Sequence, residues 1–484
     1  MAGGAKEKLS TQIARKIVRR IIRAGWPVGE NLGTEPQLMA FYGVSREPLR
    51  EALRILEHQG VVKMRQGASG GLVVTEPAEA AIANLIRSYL EFSAITFTQV
   101  REARGIIKRY ALELAMRRIG RPEIAQLRTL VEAARIELDA DPANAPDFWR
   151  MLAWIEPHSG NPSLFVFDSA LRGIVRDFSR LRHLARRPLR VRLAETLPYF
   201  EHLCDDLERG DLVRAQATID EYLNHVTRAL SYPKTVEGSI WHAPYLEEAV
   251  NETIVDLDRP KKKGAALANR IMADLRQRDA PVGTFIGTES ELLARYRFSR
   301  AILRESIRML EFFGVVRSRR GKGGGLTLSV PDPTSTIEAV QSYLEFARFE
   351  TGPLEATRHR LELESIRLAV ARMTAGEREE LIKLRELVGV AVTDSEFATA
   401  SELLYRRVMQ QSKNHALDLF TNALYVICRD RRTGLRADVD RESLRRRTRA
   451  TLVRFASAIV DSDANAAVEL WGRQRQITDS HFGP

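Results

Sequence analysis

A chain of 484 residues has room for roughly three domains, and with 44% apolar residues each can bury a core. The net charge of +11 is concentrated: residues 1–75 hold twelve Lys/Arg against six Asp/Glu, residues 258–330 hold sixteen against seven, and the remainder is net acidic. Two cysteines argue against a disulfide framework, no apolar run reaches transmembrane length, and the N-terminus lacks the apolar core of a secretory signal. A cytoplasmic protein with reduced thiols and no membrane segment is expected.

The first predicted element, Leu9 to Ala24, is an amphipathic helix with Ile13, Ile17 and Ile21 on one face, ended by Pro27 and Gly29. A short helix, Glu35 to Tyr42, leads through Gly43 into a second, which starts after Ser45. Ser45 stands where an N-cap should, accepting a backbone N–H of the first turn, and Pro48 falls early enough to be tolerated. Leu49, Ala52, Leu53, Ile55 and Leu56 form an apolar stripe, while Arg46, Arg50 and Arg54 recur every four residues on another face. A ribbon-like stretch follows, Val61 to Gly67 and Leu72 to Val74. A solvated basic face is the bland alternative, but helix, tight turn, basic helix and basic two-stranded wing is the layout of a winged helix-turn-helix that binds double-stranded DNA.

Pro77 then opens a helical region that runs to about Tyr232. Helices are expected at Ala78–Ala94, Gln99–Ile119, Glu123–Asp139, Asp147–Glu156, Ser163–Ala185, Leu189–Arg209 and Leu212–Leu230, broken at Gly120, Pro142, Ser159–Pro162, Pro188 and Gly210. Pro233 to Lys263, with three prolines and a Lys261-Lys262-Lys263 run, reads as a linker, with a short helix over Ile240–Leu257. After it the pattern returns. Ser299-Arg300 repeats Ser45-Arg46 at an offset of 254 residues, and the register holds without a gap from Pro27/Pro281 to Phe92/Phe346. The chain is an internal duplication. Its expected organisation is mainly α: winged helix (1–76), antiparallel helical bundle (77–232), linker (233–262), winged helix (263–331) and helical bundle (332–484).

Gly43-Val44-Ser45-Arg46, Arg50-Glu51-Ala52-Leu53-Arg54, Leu56-Glu57 and Gly60 stand in an order that resembles GntR-family transcriptional regulators of the FadR subfamily. The helical region adds Glu102-Ala103-Arg104 at a long helix, Ser159-Gly160-Asn161-Pro162 between two helices and Gly210-Asp211 before the last. Each half resembles one such regulator, a winged helix followed by an all-helical effector-binding (FCD) domain. The resemblance implies DNA contacts from Ser45, Arg46, Glu47 and Arg50 and from the wing tip Arg65-Gln66-Gly67. In the second copy these become Ser299, Arg300, Arg304 and Arg319-Arg320-Gly321-Lys322. Chemistry agrees: an Arg one residue into a helix in the major groove reaches guanine O6 and N7, and a wing glycine lets the backbone approach a phosphate. The copies have diverged. Glu47 is Ala301 in the second, and Arg297 replaces the turn residue Gly43, so the two readers should prefer different half-sites.

The family also implies an effector pocket. Many FCD domains hold a divalent metal with one Asp and three His. The matching positions here read Phe148, Leu152, Phe200 and Tyr222 in the first copy and Ser401, Tyr405, Leu452 and Gln474 in the second. Neither copy supplies the family's set of ligands, so no metal and no cofactor are expected. The first pocket should suit an apolar, aromatic or acyl effector, with Arg104 as counter-ion for a carboxylate; Arg358 makes the second more polar. The bland alternative is that these residues merely fill a dead pocket.

Gly67-Ala68-Ser69-Gly70-Gly71 satisfies a hydrolase pattern, but it sits in the wing rather than on a strand-to-helix elbow, and Gly321 to Gly325 lacks phosphate-loop spacing. No enzyme is expected. The reading is a ligand-responsive repressor whose two halves associate as an intrachain pseudo-dimer on an imperfect inverted repeat, with further dimerisation left open. Two rivals are an enzyme with DNA-binding appendages, which would need a large α/β region with a cofactor lysine that both helical regions lack, and an architectural DNA-binding protein whose helical domains only oligomerise.

Overall fold

The computed structural model describes residues 9–67, 70–141, 145–180, 189–230, 260–319, 324–431 and 440–481. The expected helix at Ile240–Leu257 and the wing residues Arg320, Gly321 and Lys322 lie outside them. The chain divides into two compact units: residues 1–96, 169–189 and 230–349 form one, and 97–168, 190–229 and 350–484 the other.

The first unit holds both winged helices. In the first copy α1 (Leu9–Arg23), α2 (Glu35–Tyr42) and α3 (Arg46–His58) precede β1 (Val62–Arg65) and β2 (Gly71–Val74). The strands pair antiparallel, with Val62 opposite Val74 and Arg65 opposite Gly71. Ile13, Ile17 and Ile21 of α1 meet Leu49, Leu53 and Leu56 of α3 in one apolar core. At about 25 cal/mol per Å² of apolar surface, that burial holds the reading helix in place. The second copy repeats this with α13 (Pro260–Gln277), β3 (Phe285–Gly287), α14 (Glu289–Tyr296), α15 (Arg300–Phe312), β4 (Val316–Arg319) and β5 (Gly325–Leu328). Here β3 adds a third strand in the order β3-β5-β4, where the first copy has only the single bridge Asn31–Val73. α13 starts at Pro260, so the lysine run expected in the linker opens a helix instead.

One local expectation needs correction. Ser45 is the N-cap of α3 by position, with extended backbone, but its hydroxyl accepts no capping hydrogen bond, whereas Ser299 accepts one from the Ile302 N–H at 3.4 Å. The turn before each reading helix is left-handed, at φ 64° for Gly43 and φ 55° for Arg297. A side chain is strained in that region. Arg297→Gly is therefore expected to stabilise the second winged helix by up to about 1 kcal/mol, seen as a higher urea midpoint. An unchanged or lower midpoint would mean that the Arg297 side chain has a compensating role.

The same unit contains α4 (Glu79–Phe92) and its counterpart α16 (Thr334–Phe346), which pack on each other. The winged helices dock crosswise on this pair. Trp26 of the first copy packs edge-on against Phe346 at 5.6 Å, and Gln59 Nε2 donates to Ser335 O. Phe313 of the second copy lies 5.3 Å from Phe92, and Arg276 donates to the Glu91 and Phe92 carbonyls at 3.0 and 2.7 Å. The guanidinium thereby closes the last turn of α4. At the ends of the reading helices, the His58 ring sits 4.5 Å from Phe312, the same position of the other copy.

The second unit is all helix. The first copy supplies α5 (Phe97–Ala115), α6 (Arg121–Ala140), α7 (Pro146–Leu152), α8 (Ile155–His158), the start of α9 (Pro162–Arg180), α10 (Leu189–Ala194), α11 (Leu197–Glu208) and α12 (Leu212–Leu230). The second supplies α17 (Thr351–Arg372), α18 (Ala375–Val390), α19 (Asp394–Gln410), α20 (His415–Arg431), α21 (Arg441–Val460) and α22 (Ala464–His481). Two helices expected to be continuous are split. Pro157 would clash with the carbonyl of Ala153, and Pro198 with that of Ala194, so each chain breaks four residues before its proline.

Equivalent positions meet here too. Phe167 stacks on Phe420 at 4.0 Å with the rings 11° from parallel. Asn161 donates to Pro353 O and to Thr357 Oγ1 at 3.4 and 2.8 Å, and Asn414 donates to Gln99 O and Glu102 Oε2 at 3.0 and 3.1 Å. Pro353 is the counterpart of Gln99, so the contact is made once in each direction. Cys204 and Cys428 are both buried and free, and burial pushes the Cys204 thiol up to about 12, out of the reactive thiolate range.

Candidate nucleic-acid interface and effector sites

On the first reading helix, Arg46 and Arg50 lie one turn apart and point outward, with side chains 65% and 51% exposed. Both are held by one carboxylate that the sequence reading did not single out. Glu35 Oε1, from the first residue of α2, accepts from Arg46 Nε at 2.9 Å and from Arg50 Nε at 2.8 Å. The hydrogen bond from Arg46, joined by the weaker hydrogen bond from Arg50 and the two positive charges, outweighs the opposing effect of burial and holds the Glu35 carboxyl below its ordinary range. The second copy repeats the arrangement: Glu289 Oε1 lies 3.4 Å from Arg300 Nε and 3.2 Å from Arg304 Nε.

Ser45, Glu47, Ser299, Arg65, Gln66, Gly67 and Arg319 are likewise exposed. Each wing is tied to its reading helix through an equivalent glutamate. Glu57 Oε1 accepts from the Met64 backbone N–H at 2.8 Å, and Glu311 Oε1 accepts from the Ser318 hydroxyl. Gly67, at φ 113°, occupies a backbone region that favours glycine at the wing tip.

In the first helical region Arg104, Phe148, Leu152, Phe200 and Tyr222 are all buried, and Phe200 meets Tyr222 edge-on at 5.3 Å. Arg104, however, already has its counter-ion. Its Nε donates to Asp168 Oδ1 at 2.9 Å, and Lys108, one turn along α5, donates to Glu156 Oε1 at 2.7 Å and lies 3.6 Å from Asp168 Oδ2. Lys108 also reaches the Leu152 carbonyl at 3.2 Å. All four charged side chains are at most 1% exposed. Burial alone would ease the proton off Arg104; the Asp168 carboxylate, together with Tyr222 and Glu156, outweighs it and holds the guanidinium charged. Arg104 thus belongs to a buried group of two cations and two anions, and its Nη2 is left as a buried atom with no hydrogen-bond partner.

The second copy is built differently at the same positions. Glu362 stands where Lys108 was, Met409 replaces Glu156, and Thr421 replaces Asp168. Arg358 Nε lies 3.3 Å from Glu362 Oε1, and Glu362 also accepts from Tyr405 Oη at 3.0 Å and Trp471 Nε1 at 2.8 Å. Tyr405 stacks between Tyr425 at 4.8 Å and Trp471 at 5.6 Å. Burial, then the Glu362 charge, raises the Tyr405 phenol well above its ordinary value, so it remains a donor. Ser401 Oγ, Gln474 Oε1 and Ser365 Oγ are buried atoms with no hydrogen-bond partner, and Leu452 is buried in the same core. Buried polar atoms in this state call for a water or a ligand. Among the described residues no group of three or more His, Cys, Asp or Glu is placed to hold a metal ion.

Comparison with known proteins agrees with this geometry. Residues 9–71 and 263–325 each match the family described as bacterial regulatory proteins, gntR family, and residues 354–474 match the FCD domain. The HTH-type transcriptional repressor NanR of Enterobacter sp. (strain 638) is 28% identical over 258 residues, covering 49% of this chain and 87% of that protein. The NanR of Escherichia coli (strain K12) is 27% identical over 258 residues, covering 49% and 86%. A solved structure of Streptococcus agalactiae GntR aligns over 45% of this chain and 99% of its own, at 19% identity and a TM-score of 0.33. The chain is a ligand-responsive, DNA-binding transcriptional regulator. It carries the gntR-type winged helix twice and an FCD domain, as a GntR-family regulator does, and such regulators are normally not enzymes. No described helix is long and apolar enough to cross a membrane.

Proposed function

We propose that this chain is a cytoplasmic repressor that reads an imperfect inverted repeat as an intrachain pseudo-dimer of two FadR-type halves. The observation that carries the reading is the meeting of equivalent positions, His58 with Phe312 and Phe167 with Phe420, in the manner of a two-fold interface. Covalent linkage makes that pairing intramolecular, at an effective concentration of roughly millimolar. The readers are Ser45, Arg46, Glu47 and Arg50 with the wing residues Arg65, Gln66 and Gly67, and Ser299, Arg300 and Arg304 with Arg319, Arg320, Gly321 and Lys322. With the C-terminal ends of α3 and α15 in contact and each helix 13 residues long, Arg46 and Arg300 stand at most roughly 40 Å apart. That span accommodates half-sites up to about one turn of DNA apart. Light scattering combined with footprinting tests this: one chain is expected per short operator, and two chains on one operator would overturn it.

The effector site of this reading lies in the second helical domain, among Arg358, Ser401, Tyr405, Leu452 and Gln474, and binds a small aromatic or hydroxylated carboxylate. Support comes from the uncommitted polar atoms of Ser401 and Gln474 beside three aromatic rings. In the first domain Arg104 is already ion-paired with Asp168. Chelator treatment is expected to leave operator binding and its ligand response unchanged; a response abolished by chelation and restored by a divalent ion would sink the metal-free site.

A further inference from the structure

We propose that Glu35 and Glu289 are specificity-determining residues of the two DNA readers, setting the gap between specific and non-specific binding. This rests on Arg46, Arg50, Arg300 and Arg304 being the readers. The observation is one motif built twice. A carboxylate at the first position of α2 or α14 bridges the Nε atoms of two arginines one turn apart on the following helix. The two versions share this geometry although the residues after them differ, Pro36 in one and Ser290 in the other.

The edge of the guanidinium that is held decides the consequence. Guanine O6 and N7 can be met by the two terminal nitrogens, and the Nε contact leaves those outward. Glu35 therefore does not block the reading edge of Arg46. It fixes the side chain before DNA arrives, so less conformational freedom is lost on base contact. The carboxylate also cancels one of the two positive charges that phosphates would attract, whatever the base sequence. Both effects act in the same direction: base readout is favoured and sequence-blind attraction is reduced. The longer contacts of Glu289, 3.4 and 3.2 Å against 2.9 and 2.8 Å, make the second reader the less restrained of the two.

The test uses the full chain and two labelled duplexes, one of random sequence and one that the wild-type protein selects from a randomised pool. Glu35→Gln with Glu289→Gln keeps the side-chain size and removes the charge; Glu35→Ala with Glu289→Ala also removes the restraint. Melting temperature is monitored for each. Both variants are expected to bind the random duplex more tightly, with a steeper salt dependence, while the specific-to-random affinity ratio falls about five- to tenfold, more for alanine than for glutamine. An unchanged or increased ratio in folded variants overturns the proposal. Arg46→Ala with Arg300→Ala separates the two readings. If that variant keeps the ratio, the reading helices are misassigned. If it loses the ratio while the glutamate variants keep it, only the role of the glutamates fails.

Discussion

Asp168→Asn is expected to destabilise the all-helical unit by about 3–5 kcal/mol, the largest single effect in the chain. The substitution nearly preserves shape, so packing is not the cause. It removes one of two anions from a group of four fully buried charges and leaves Arg104 and Lys108 sharing Glu156. An uncompensated buried cation then has neither water nor a counter-ion. Lys108→Met alone should be similarly damaging, because it leaves the carboxylates in excess. Lys108→Met with Glu156→Met should be far milder than the sum of its parts, since the pair leaves together. Urea unfolding followed by helical circular dichroism reads all four proteins. An Asp168→Asn protein within about 1 kcal/mol of the wild type would mean that these charges are not buried as described.

Loss of both reading arginines should abolish operator selection. Arg46→Ala and Arg300→Ala are each expected to cost about 1–3 kcal/mol on the selected operator, and together to reduce binding to the sequence-blind level. The exposed positions of both side chains make folding defects an improbable source of the loss. Lys322→Ala, in the second wing, should instead weaken all duplexes alike and flatten the salt dependence. Titration of the selected duplex against a scrambled one separates the outcomes. If the double arginine variant still discriminates between them, the readers lie elsewhere.

How far the sequence carries to this picture depends on the distance over which each feature is encoded. The reading helices and wings are local: Leu49, Leu53 and Leu56 at helical spacing beside Arg46 and Arg50 announce the core face and the outer face within a dozen residues. The duplication is legible for a different reason, since an ungapped repeat over tens of residues is visible without structure. The breaks before Pro157 and Pro198 were missed although their cause is local, because proline obstructs the carbonyl four residues before it. The charged group was not legible. Lys108, Glu156 and Asp168 come from three helices, and no one-dimensional spacing links an α5 lysine to an α9 aspartate. Arg104 was found from the family pattern, but its pairing with Asp168 was not. Glu35 sits between these cases. It lies 11 residues from Arg46 across a tight turn, and the only signal that could have found it is the acid at the same position in the other copy.

The contact between His58 and Phe312 has a consequence for how such a chain can change over generations. In a symmetric homodimer a side chain on the two-fold axis touches its own image, so every substitution there arrives twice, and only residue types that tolerate themselves survive. Phe167 against Phe420 still obeys that restriction. His58 against Phe312 does not: one position carries an imidazole and its opposite number a phenyl. With both positions encoded in one chain, a substitution on one side of that contact need not be matched on the other.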